Sequence, residues 1–322
     1  MTRMNRDSKS FSLVVGAVAV GVAALLWSLD GVFIRPQFYQ LPAGLVVFFE
    51  HALGFLVLIP FMVRGRKEIQ QLSLGGWGSL FWVSLWGGLL GTLFITKAFF
   101  AAYDPEVGTT LATVVILQKL QPIFALFLAR LILKEKLNKD FYIWAFVAII
   151  AAYFLAFSQH GMHLKDIRLV DSASIYALLA AFAFGSSTVF GKRFTNELKF
   201  ETATALRFGT TTVMALIFIL VAKQLTGISE MQPLHWKLLV LIVFSSGALS
   251  MFIYYFGLKR IPASVATIFE LVWPLSAVAL DFIINKNTLT GIQYIASAVL
   301  LLAFFMIVRR KTIKEKAEDK GE

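Results

Sequence analysis

Apolar residues along this chain come in ten blocks separated by short polar connections. The blocks cover 12–34, 43–63, 77–99, 106–129, 141–158, 172–191, 203–222, 236–256, 263–284 and 291–308. A hydrocarbon core about 30 Å thick takes roughly 20 helical residues to cross, so the pattern predicts ten transmembrane helices and an all-α membrane protein. The first block is too long for the apolar core of a signal peptide and runs into Arg35-Pro36, so it should remain as helix one. The C-terminal stretch RRKTIKEKAEDKGE mixes charges of both signs and reads as a disordered cytoplasmic tail.

The blocks also repeat. AALLWSLDGVFIR (23–35) matches AAFAFGSSTVFGK (180–192) at an offset of 157 residues, pairing Val32-Phe33 with Val189-Phe190. His51 in helix two has Arg207 at nearly the same offset in helix seven, and Phe94-Ile95 aligns with Phe252-Ile253. Asp104-Pro105 meets Ile261-Pro262, and Pro122 in helix four meets Pro274 in helix nine once five extra residues in the first half are allowed. Five helices per repeat is an odd number, so the two halves must lie in opposite membrane orientations, a recurrent plan of secondary transporters with the substrate site near the midplane. The expected organisation is two inverted five-helix repeats, 1–160 and 161–310, followed by the tail 311–322.

Composition sharpens this reading. The chain is 58% hydrophobic and 15% charged, against about 45–50% and about 25% in ordinary globular domains. It has no cysteine, which excludes disulfides and thiolate chemistry. The four histidines are scattered, and His160 and His163 share a loop without a third ligand, so neither a metal nor a cofactor is expected. Of the 30 Lys and Arg, 21 fall in segments on the N-terminal side of the membrane, six on the other side and three within spans. That bias puts both termini in the cytoplasm and suits a bacterial inner membrane. The net charge of +11 therefore reports a lipid bilayer, not nucleic acid. Either a monomer or a homodimer fits.

Three stretches carry a resemblance: Trp27-Ser28 in helix one, the paired starts PEVGTTLATVVILQKLQP (105–122) and PASVATIFELVWP (262–274), and LKEKL (133–137) with its Glu135. Together they resemble the EamA-type family of the drug/metabolite transporter superfamily across essentially the whole chain. The resemblance implies transport of a small metabolite and no enzymatic activity. Two departures stand out: INKNTL (284–289) lacks the glutamate usual there, and helix two has Glu50-His51 where an arginine is common.

Ionisable residues within spans cost about 2.5–3.5 kcal/mol each on insertion scales and usually face a cavity. Lys119 and Glu270 fall near mid-membrane, just before Pro122 and Pro274, which free backbone carbonyls one turn earlier. An ammonium and a carboxylate meeting there, with Gln118, Gln121, Trp27 and Trp273, would form a substrate site; the same pair could instead be a permanent bridge that locks two helices. Asp30, Glu50, His51 and Asp281, with Glu106 and Lys97, form a second group towards the outer face and are candidates for proton coupling. Glu50–Arg35 or Asp30–Lys97 pairing is the structural alternative. Glu50 and His51 point about 100° apart on a helix and should not both face one narrow lumen. Tyr254 and Tyr255 read as packing or as an inner gate, and Ser186, Ser187 and Thr188 could line the inner mouth.

The resulting expectation is a secondary transporter working by alternating access on a small polar metabolite. A lysine facing a carboxylate favours an amino-acid-like zwitterion; a nucleoside-like or cationic metabolite is the alternative. A membrane-embedded enzyme or a non-transporting sensor are the readings of a different class.

Overall fold

Apolar segments fold as helices because a helix closes its backbone hydrogen bonds within the segment, where lipid offers no partner. The computed structural model describes residues 6–102, 114, 117–137, 139–157, 172–285 and 290–318. Expectations resting on Asp104, Pro105, Glu106, His160, His163 and the side chain of Asp281 lie outside the described residues.

The helices are α1 (Arg6–Leu29), α2 (Ala43–Arg64), the short α3 (Arg66–Gln70), α4 (Leu74–Trp82), α5 (Gly91–Ala102), α6 (Gln121–Ile132) and α7 (Lys139–Phe157) in the first half. The second half has α8 (Ser172–Glu197), α9 (Phe200–Val221), α10 (Pro233–Val243), α11 (Ala248–Leu258), α12 (Ala263–Phe269), α13 (Val272–Asn285) and α14 (Gly291–Glu318). No strand occurs among the described residues. Among the described residues, six helical stretches are long and apolar enough to cross a membrane: Phe11–Leu29, Ala43–Arg64, Leu74–Ala101, Ser172–Glu197, Phe200–Val221 and Pro233–Arg260. Shorter apolar helices cover Gln121–Ile132, Ala263–Ala277 and Gly291–Ile307. The helical backbone of α14 continues to Glu318, into the charge-mixed segment that the sequence marks as a tail.

Packing follows a two-fold logic. α1 packs on α11 as α8 packs on α5, and α1 packs on α12 and α13 as α8 packs on α6. The two largest further contacts join helices that the sequence repeat makes equivalent, α2 with α9 and α7 with α14, while α6, the second half of helix four, packs on α12, the first half of helix nine. α2 and α9 run antiparallel, since Gly44, Gly54 and Gly65 face Phe218, Phe208 and Thr202 in turn. Gly54 is needed at their crossing, where a Cβ would stand 2.6 Å from the Phe208 ring. The largest apolar cluster joins α1, α7, α11 and α14 around buried residues such as Val20, Ala148, Leu258 and Leu300.

Several helices are interrupted, and the interruptions have sequence causes. Proline lacks an N–H, and its ring clashes with the carbonyl four residues earlier. Ahead of Pro122 the chain turns at Lys119 and Leu120, with Leu120 and Ile123 making three-residue bonds to Leu117 (3.2 Å) and Leu120 (3.0 Å). Ahead of Pro274 it turns at Glu270 and Leu271, with Leu271 bonded to Ile268 (3.1 Å) and Trp273 to Glu270 (3.1 Å). α1 loosens into a π turn (Asp30–Ile34) and a 3-10 turn (Arg35–Phe38) at Pro36. The single block expected at 236–256 is two helices, α10 and α11, joined by a turn at 244–247 around Gly247.

The Glu135 carboxylate, in the loop after α6, closes the start of α12. It accepts from the Ala263 N–H (2.9 Å), the Ser264 N–H (3.2 Å) and the Ser264 hydroxyl. An acid at a helix N-terminus satisfies orphan donors and complements the helix dipole. Glu135→Ala is expected to cost about 1–2 kcal/mol, seen as a lower unfolding midpoint of the purified protein; an unchanged midpoint would remove this role.

Candidate functional site

The interruptions converge. The turns at 119–120, 244–247 and 270–271 and the π turn of α1 all contribute to one cavity of about 190 Å³ between the two halves. Its lining includes Lys119, Glu270, Trp27, Trp273, Gln118, Gln121 and Pro122, together with Asp30, Glu50 and His51. Pro274 is buried in α13 next to this lining.

Glu270 is held by three hydrogen bonds. Its Oε1 accepts from the Tyr254 hydroxyl (2.8 Å) and the Thr188 hydroxyl (3.2 Å), and its Oε2 accepts from the Gln121 amide. Gln118 in turn donates to Gln121 (2.8 Å), so α8, α11 and the helix-four break are tied to the helix-nine break through one carboxylate. Charge-assisted bonds of this kind offset part of the cost of burying the group. Lys119 does not join them: no ion pair links it to Glu270 among the described residues. Its ammonium lies over the Trp273 ring, 4.2 Å from the centroid, a cation–π arrangement. The direct bridge raised by the sequence is therefore not what holds these helices. Trp27 completes this region, its ring 5.2 Å from that of Tyr254.

A second polar cluster is built on Arg35. The π and 3-10 turns bend the end of α1 so that the buried guanidinium binds Asp30 through Nε (3.0 Å) and Nη2, and Glu50 of α2 through Nη1 (2.9 Å). Of the two pairings open in the sequence, Glu50–Arg35 forms and Asp30–Lys97 does not; Lys97 sits over the Tyr176 ring, 5.4 Å from its centroid. Glu50 and His51 both line the cavity despite their divergence along α2. Glu50 reaches along the wall to α1, whereas His51 faces α9, with Nδ1 2.9 Å from the Val47 carbonyl oxygen and its ring 5.0 Å from that of Phe208.

Arg207 of α9 stands apart from both clusters. It is buried, lines the cavity, and forms no ion pair among the described residues. Nη1 donates to the Tyr255 hydroxyl (3.1 Å) and the Met251 sulfur (3.0 Å), while Nε has no partner. The sequence matches Arg207 to His51 through the repeat but does not by that alone place it in the site. The available signal was its position: Glu50, which lines the same cavity, lies 157 residues earlier, the repeat offset. Tyr254 and Thr188 were read as packing or as mouth residues, and both hold Glu270 instead.

The Arg35 cluster generates a stability prediction. Removing one partner of a buried ion pair leaves an uncompensated charge and costs about 3–5 kcal/mol. Arg35→Met is therefore expected to destabilise strongly in thermal unfolding, and adding Asp30→Asn and Glu50→Gln should restore much of the loss. Failure of the triple variant to recover would show that Arg35 acts through something other than these two carboxylates.

A model of the EamA-like transporter family matches the chain twice, over 14–157 and 171–309. The riboflavin transporter ImpX of Fusobacterium nucleatum is 39% identical over 290 residues, covering 90% of this chain and 95% of its own length. A crystal structure of a protein 16% identical superimposes with a TM-score of 0.66 over 93% of this chain and 98% of its own, a likeness of fold alone. The two matched segments meet at the cavity, and helices equivalent by sequence pack on each other across it. This chain is a multi-pass membrane protein that belongs to the EamA-like transporter family.

Proposed function

We propose that this chain is a secondary transporter of riboflavin or a closely related flavin. It carries ten spanning helices as two inverted five-helix repeats (1–160 and 161–310), with both termini cytoplasmic in the cell membrane. Alternating access would then expose the cavity to one side and the other as the halves rock. The observation that carries the reading is the chemistry of that cavity. It offers the faces of Trp27, Trp273 and Tyr254 beside a hydrogen-bonded group of Gln118, Gln121, Thr188 and Glu270. A flavin has the matching halves, a flat aromatic ring system and a polyhydroxylated chain. The name of the relative at 39% identity supports the same substrate.

An amino-acid-like zwitterion is less well served. Glu270 already takes three donors and Lys119 lies on Trp273, so neither charge stands open to a small ion. A nucleoside-like ligand shares the ring-plus-hydroxyl character of a flavin and is the nearer relative of this proposal. Asp30 and Glu50 are both engaged by Arg35, which supports a structural clamp in place of proton carriage through Asp30, Glu50, His51 and Asp281.

Counterflow of labelled riboflavin in liposomes tests the proposal. Exchange of riboflavin, without exchange of amino acids, is the expected result; binding without exchange would indicate a sensor, and no binding would remove the flavin. Stacking on an aromatic side chain is worth roughly 1–3 kcal/mol per base in nucleic-acid complexes. Trp273→Ala should accordingly weaken riboflavin binding by about 5- to 100-fold and relieve quenching of flavin fluorescence. Exchange rates should not respond to an imposed pH gradient; gradient-driven accumulation would return Asp30 and Glu50 to a coupling role.

A further inference from the structure

Arg207 is a buried charge in the cavity lining that the internal bonding leaves with open hydrogen-bonding capacity. A guanidinium has five N–H donors and no acceptor. One nitrogen is used by Tyr255 and Met251, Nε is buried without a partner, and no carboxylate pairs with the group among the described residues. Leaving such donors unmet in a site shielded from water is costly. The Ser187 hydroxyl beside it is likewise buried and unbonded.

Space for both is made by Gly87, in the π segment between α4 and α5. A Cβ there would stand 2.0 Å from the Ser187 oxygen and 3.0 Å from Arg207 Nη2, so only glycine lets the two groups sit side by side. The Tyr255 ring, 5.6 Å from the guanidinium carbon, backs the arrangement from α11. Four elements thus build a donor-rich corner in the cavity, separate from the carboxylate of Glu270, which already accepts three hydrogen bonds, and from the Arg35 cluster.

We infer that Arg207, with Ser187, reads the carbonyl-bearing edge of the substrate's ring. This rests on the flavin proposal and deepens it. The pyrimidine ring of a flavin presents two carbonyl oxygens with an N–H between them, and each carbonyl oxygen has an unprotonated ring nitrogen on its other side; such an in-plane pair of acceptors suits a planar guanidinium fork. The ribityl hydroxyls are donors and acceptors at once and match the amides of Gln118 and Gln121. The ring edge is thereby assigned to α9 and the chain to the helix-four and helix-nine breaks.

Equilibrium dialysis of the purified full-length protein with riboflavin and with lumiflavin, the same ring bearing a methyl group in place of the ribityl chain, separates the possibilities. Wild type is expected to bind both. Arg207→Met should weaken both by about 10- to 100-fold, with Arg207→Lys in between because it keeps the charge and loses the fork. Gly87→Ala should weaken both as well by crowding the corner while leaving the guanidinium in place, and it decides the matter should Arg207→Met fail to fold. Arg207→Met losing riboflavin but keeping lumiflavin would assign Arg207 to the chain and overturn the inference while the flavin proposal stands. Wild-type affinity for both ligands in Arg207→Met would make Arg207 structural and overturn it likewise. A wild type that binds neither would remove the flavin proposal and this inference with it.

Discussion

Hydrocarbon offers no partner to an open backbone group, so a helix that crosses it can loosen only where protein or a polar cavity takes over. In this chain the loosened places are the turns at 119–120, 244–247 and 270–271 and the π turn Asp30–Ile34, and all of them border one cavity. Backbone irregularity and side-chain charge are therefore found together. Pro122 and Pro274 interrupt the bonding, and the residues stranded in the turns, Lys119 and Glu270, are the ones that face the opening. Among the described residues the buried charges Arg35, Glu50 and Arg207 all line this one volume.

Within that volume the charges are managed in three ways. Arg35 is paired with two carboxylates, Glu270 is neutralised by hydrogen bonds from three different elements, and Lys119 rests on an aromatic face. Each arrangement crosses between helices, so each also fixes how they sit. The Glu270 cluster ties α8 and α11 to the helix-four break, which joins residues from both halves at the place where rocking motions would have to pass. Arg207 also has an aromatic neighbour, Tyr255, yet its Nε is left without a partner, which is what makes it informative about the ligand.

The helices, their repeat and the in-span charges were all legible along the chain. Length and apolarity decide helix formation in a bilayer locally, with no need for long-range information, and the proline positions marked where two helices break. The likeness of 23–35 to 180–192 anticipated two matched segments, because equivalent helices in a two-fold arrangement meet equivalent surroundings. Split α10 and α11 escaped notice because Ser245, Ser246 and Gly247 break the apolar run too briefly for hydropathy to register a turn.

Partner choice was a different matter. Opposite charges at similar depth made Lys119 and Glu270 look like a pair, yet depth says nothing of azimuth, and Trp273 and Tyr254 take those places. Arg35 looked like a residue beyond the end of a span until the π and 3-10 turns carried it back into the wall. By itself the sequence determined that the chain is a helical membrane protein with two related halves, and which residues are too polar to face lipid. Only the tertiary structure decided which of those residues satisfy one another and which, like Arg207, keep donors open, because hydrogen bonding depends on ångström distances between helices that are remote along the chain.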